Sequence, residues 1–209
     1  MAIWQYKLHI IPKKAVLEQY GKIPSVIFVD HQSWEAYWKN VQYDGNRFPN
    51  PDFEDAHTKN WWSNTKVVVD ELVKKVDMCV QRAHWDKGGE FGSYYWKGTT
   101  NLLEDHDAFI SYDKETNSIS EFQFRADLRN EEKALRFLNA MLQLCQELEC
   151  LVFNVDGDLF EPDIAFILKD IKKSRAVHFL KDPEDFFDTL EATKNNEASF
   201  WNKIQALFK

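Results

Sequence analysis

The segment from Asp107 to Arg129 limits what this chain can fold into more than any other. Ala108, Ile110 and Tyr112 lead into the turn DKETNS, and the return alternates Phe122, Phe124, Ala126 and Leu128 with Glu121, Gln123, Arg125, Asp127 and Arg129. Successive strand side chains point to opposite faces, so the pattern describes an antiparallel hairpin with one buried and one polar face. Such a face must be covered, and the rest of the chain supplies helices for it.

Trp4, Tyr6, Leu8 and Ile10 alternate with Gln5, Lys7 and His9, which predicts a strand. Pro12 then opens a short helix with Val16, Leu17 and Tyr20, and Gly21 ends it. A strand is expected at Val26 to Val29. Asp30 caps a helix in which Trp34, Tyr37, Trp38 and Val41 recur at helical spacing. From about 42 to 63 the periodicity fails around Asp44-Gly45, Pro49 and Pro51, which predicts a long acidic loop. Val67 to Arg82 reads as a helix with an extended beginning. Asn130 caps another, with Leu135, Leu138, Met141, Leu142, Cys145 and Leu148 as its apolar face. The stretch LVFNVDGDLFEP reads as two short strands around an Asp-Gly turn, and Pro162 opens a helix carrying Ile164, Ile167, Leu168 and Ile171. Further helices are expected from Asp182-Pro183, with Phe186, Phe187 and Leu190, and from Glu197 to Phe208. The expected fold class is α+β: a single domain over residues 1–209, mainly antiparallel sheet packed against several helices.

Only 7 Gly and 6 Pro occur and no segment has linker composition, which fits one domain. The net charge of −8 disfavours a nucleic-acid binder, which would present surplus Lys and Arg, and leaves room for a basic protein partner. No run approaches the roughly 20 apolar residues of a membrane span. Three cysteines, Cys79, Cys145 and Cys150, have neither disulfide-framework nor C-x-x-C spacing. With no secretory pattern in MAIWQYKLHIIPKK, a cytoplasmic location is expected. The oligomeric state is left open.

The stretch LVFNVDGDLFEP resembles the first motif of haloacid-dehalogenase-type phosphatases, which would imply an aspartyl-phosphate intermediate. Asn154 stands at the nucleophile position, where a carboxamide cannot form that intermediate, and Asp158 replaces the Thr after D-G. No histidine pair has metal-binding i, i+4 spacing, and Glu54, Asp55, His57 and Glu104, Asp105, His106, Asp107 read as solvated acidic loops rather than ligand sets. There is no nucleophile elbow or phosphate loop, and Cys145 lies on an apolar helix face. No catalytic residue, cofactor or metal is assigned.

Two surfaces remain. Asp52, Glu54 and Asp55 precede Trp61-Trp62 in the 42–63 loop, a combination that fits an acidic, aromatic hot spot for a basic partner; the alternative is that the two Trp pin the loop to its own core. Arg125, Asp127 and Arg129 place two guanidinium groups around one carboxylate, which fits an anion or carboxylate site under a helical cover, or else a solvent-facing ladder of cross-strand ion pairs. Through EFQFRADLR, LVFNVDGDLFEP and SRAVHFLKDPEDF the chain resembles uncharacterised bacterial cytosolic proteins, and its acidic, Trp-rich character is similar in style to immunity proteins that neutralise toxins. Those motifs are not catalytic signatures; the negative charge, the 49–62 loop and the lack of an assembled active site lead to the expectation of a non-enzymatic cytosolic binding protein, an immunity-type inhibitor of a basic toxin domain. The alternative expectation is a small-molecule binding protein or enzyme built on the Arg125, Asp127 and Arg129 face.

Overall fold

The computed structural model describes residues 3–43 and 48–184. Among them are six strands in one antiparallel sheet and six α-helices, so the α+β expectation holds. The hairpin is β3 (Glu104–Asp113) and β4 (Ser118–Asp127). On one side of it lies β2 (Ser93–Thr99), and on the other β1 (Gln5–Pro12), followed by β5 (Cys150–Phe153) and β6 (Leu159–Phe160). The order across the sheet is β2-β3-β4-β1-β5-β6, with register pairs Leu8 to Phe124 and Ala108 to Phe124 in the centre.

This register gathers Leu8, Ile10, Ile110, Phe122, Phe124, Ala126 and Trp96 on one face as the core. Helix α4 (Glu131–Glu147), capped by the Asn130 side chain, covers it with Ala134, Phe137, Leu138, Met141, Leu142, Leu144 and Cys145. The buried stripe is wider than the spacing of Leu135 and Leu148 implied, because α4 crosses three strands. Each large side chain in it contributes on the order of 1.5–3 kcal/mol by burial. Helix α3 (Val69–Asp77) adds Val69, Leu72, Val73 and Val76. The extended start before α3 is present, but the helix ends at Asp77 rather than Arg82. Gln81 and Ala83 instead bond to Lys97 and Tyr95 of β2, and the Arg82 guanidinium lies over the Tyr94 and Trp96 rings. Strand β2 escapes the sequence reading because Tyr94, Tyr95 and Trp96 put rings on both faces, which erases the alternation.

Helix α1 (Lys13–Tyr20) ends at Gly21, whose φ of 69° is the left-handed cap expected there. The strand expected at Val26 to Val29 is reduced to one bridge, Val26 to Asp158. Asp158 precedes the two-residue β6, and the Phe28 carbonyl turns away to accept from the Ala56 amide. Helix α2 (His31–Asn40) follows, capped by Asp30 as expected. Helix α5 (Ile164–Ile171) is capped by Asp163, one residue past Pro162, and the short α6 (Arg175–Lys181) by Ser174. The helices expected around Phe186, Phe187 and Leu190 and over Glu197 to Phe208 lie outside the described residues. No helix among the described residues is long and apolar enough to cross a membrane.

Candidate functional site

Trp61 and Trp62 are not presented at the surface. They are 4% and 2% exposed. The Trp61 Nε1–H donates to the Ala56 carbonyl at 2.8 Å, and the Trp62 Nε1–H to the Ile10 carbonyl at 3.2 Å, with the Trp62 ring against Phe122. Burying both rings with their donors satisfied is worth more than exposing them, so the pair pins residues 56–62 to the core. Asp55 is buried too. Its carboxylate accepts from the Trp34 indole at 2.7 Å and from the amides of Asp30, His57 and Thr58. Burial alone would raise its pKa, but these donors outweigh it and hold the carboxyl below its usual value. Of the acidic residues singled out in the sequence, Asp52 and Glu54 are exposed and make no ion pair among the described residues.

The aromatic surface sits one step earlier in the chain. Helix α2 buries none of its residues, and Trp38 is 58% exposed. The Trp34 ring stacks on Trp38 at 6.1 Å and meets Phe53 edge-on at 5.1 Å; Trp38 meets Phe48, and Phe48 meets Tyr43. Tyr43 and Phe48 are themselves exposed, and the Tyr37 hydroxyl donates to the Pro49 carbonyl at 2.6 Å. The cluster is fixed from below: Trp34 lies on His57, whose ring contacts His9 and Phe153 of the sheet. Asp52, Glu54 and Glu35 rim it with negative charge, and only Glu35 is paired, with Lys39. Helical spacing of rings is the same for a core face and for an interface face, so periodicity alone assigns Trp34, Tyr37 and Trp38 to the interior. The surplus of rings in Tyr43, Phe48 and Phe53 was the available signal.

The polar sheet face separates the Arg125, Asp127 and Arg129 constellation into two pairs. Arg125 Nε donates to Asp107 at 2.6 Å across the β3–β4 ladder, and Lys97 reaches both Asp105 at 2.6 Å and Asp107 at 3.4 Å. Asp127, 0% exposed, takes Arg129 at 2.6 Å together with the amides of Asp105 and Arg129. Burial would raise its pKa, and the Arg129 bond with those amides lowers it further than burial raises it. Each guanidinium is thus matched to its own carboxylate. Only Arg125 to Asp107 is a cross-strand pair; Arg129 and Asp127 lie two residues apart, and in both pairs the carboxylate is buried while the guanidinium keeps partial exposure.

Asn154 is also architectural. Its Oδ1 accepts from the amides of Asp156 and Asp158, and its Nδ2 donates to Asp158 and Asp170, closing the turn that Gly157 completes at φ 89°. Between β3 neighbours, Asp105 and Asp107 share the polar face while His106 points to the opposite one, so the cluster E-D-H-D is split by the pleat. No group of three or more metal-ligating side chains occurs among the described residues. Comparisons with protein-family models, curated proteins and solved structures found no match, so the functional reading rests on the geometry of this chain.

Proposed function

We propose that the protein is a non-enzymatic binding protein of the cytoplasm that holds a basic protein partner on the surface formed by α2 and residues 48–54, in the manner of an immunity-type inhibitor of a basic toxin domain. The observation that carries this is α2 itself: a ten-residue helix that buries no residue yet bears Trp34, Tyr37 and Trp38 in a fixed ring cluster. Exposed Trp and Tyr on a rigid support are what interface hot spots are made from, and rigidity lowers the ordering cost of binding. The acidic rim at Asp52 and Glu54, with a net charge of −8, would speed encounter with a cationic surface. The anion-site alternative loses support because Arg125 and Arg129 are already matched to Asp107 and Asp127.

The test is capture from host lysate by the wild-type chain and by a Trp38→Ala/Phe48→Ala double variant, at low and moderate salt. A basic protein retained by the wild type, weakened by salt and lost with the double variant supports the reading. A partner held equally by both chains overturns it.

A further inference from the structure

The β3 pleat turns His106 toward α4, where its ring stacks on Phe137 with centroids 4.4 Å apart and planes 7° from parallel. Its Nδ1 accepts the Asp127 amide at 2.9 Å, so the proton of the neutral ring sits on Nε2. Burial lowers the pKa, more than the nearby Asp127, Glu104, Asp105 and Asp107 carboxylates raise it, which keeps the ring neutral at neutral pH. The residue is 7% exposed, and among the described residues no acceptor reaches Nε2. Folded chains seldom leave a buried donor unmatched.

His106 lines a cleft of about 440 Å³ between the end of α3, the end of β2 and the first turns of α4. That size suits a small organic ligand. Lys133 and Arg136 of α4 stand over it, sharing the single carboxylate of Glu104 at 3.0 and 3.4 Å. Lys133 also donates to the Leu102 carbonyl at 2.7 Å, whereas the guanidinium of Arg136 makes only its one long contact among the described residues. The Asp105, Asp107 and Asp127 carboxylates near His106 are matched by Lys97, Arg125 and Arg129, so Lys133 and Arg136 against Glu104 leave an excess of one positive charge. Met78 and Leu102, both exposed, give one part of the otherwise mixed lining an apolar surface. Gly98 lies at the β2 wall because any Cβ there would meet the Glu104 carbonyl.

We propose that this cleft is a binding site for a small monocarboxylate on an apolar body. The carboxylate accepts from the His106 Nε2–H and from Arg136, while the apolar body rests on Met78, Leu102 and Phe137. One surplus positive charge matches a monoanion rather than a phosphate dianion. The site lies apart from α2 and does not depend on the protein-partner reading.

The test follows the imidazole nitrogens of His106 by NMR in the full chain during titration with hexanoate, hexanamide and inorganic phosphate. Hexanoate is expected to shift the His106 Nε2 resonance saturably, with hexanamide and phosphate far weaker, and Arg136→Ala, an exposed position, to weaken hexanoate by about tenfold. Absence of a saturable shift at about 10 mM hexanoate, tenfold above a 1 mM Kd, overturns the proposal. So does an equal response to hexanamide or to phosphate, which would mean that charge or the apolar surface plays no part.

Discussion

Asp127 has no exposed surface, and its charge is held by the Arg129 fork and two backbone amides. Removing one partner of such a pair strands the other, so Asp127→Ala is expected to cost about 3 kcal/mol in urea unfolding. A loss under about 1 kcal/mol would mean the pair is not what secures the β3–β4 end. Three enclosed histidines act in the opposite sense. His9 is depressed by burial and then by Lys7 and His57; His57 by burial and then Lys7; His106 by burial. The unfolded chain protonates them near 6.5, so below that pH the unfolded state binds more protons than the folded one. Stability present at pH 8 is therefore expected to fall as pH drops from about 6.5 toward 5, by up to about 1.4 kcal/mol per pH unit for each histidine. Urea midpoints that stay flat over this window would show that the folded rings protonate as freely as unfolded ones. The sequence displays these residues but not their burial: His9 and Asp127 stand at polar positions of alternating strands, and only the segment folded over the sheet encloses His9.

Among the elements, the hairpin, β1, α4 and the caps at Asp30 and Asn130 are local enough to be legible in the sequence, because period and capping chemistry act within a few residues. Asn130→Ala should remove the bond to the Lys133 amide and cost about 1 kcal/mol. The DG turn is equally local, yet its strictness comes from elsewhere. Gly157 has φ 89°, and a Cβ there would stand 2.2 Å from the Ile27 carbonyl, while the Ile27 amide donates to the Gly157 carbonyl at 2.9 Å and holds the two segments together. Gly157→Ala is thus expected to cost more than the roughly 1 kcal/mol of a positive-φ glycine alone, read as a drop in melting temperature. A neutral effect would show that the 25–27 segment shifts freely from the turn. Elements whose formation depends on distant partners were not legible: β2 exists by pairing with β3, and the segment at Val26 to Val29 keeps one bridge, to Asp158, while the Phe28 carbonyl is taken by the Ala56 amide.

For the whole molecule, the Trp61-Trp62 pair and Trp38 take opposite fates. Trp62→Ala should leave a large hole beneath Phe122 and cost about 3–5 kcal/mol, whereas the Trp38→Ala/Phe48→Ala double variant should fold with stability near that of the wild type. Thermal unfolding of both chains checks the contrast. If the double variant is the more destabilised, α2 is part of the core after all and the binding surface is lost with it. The sequence by itself determined the α+β class, the central hairpin and the abundance of rings and negative charge, since periodicity and composition are local properties. Which rings face inward, which carboxylates are matched, and where His106 meets a cleft were decided only by the tertiary structure. The physical reason is that alternation and helical spacing specify a face but not what covers it, and cover is supplied by segments remote in the chain.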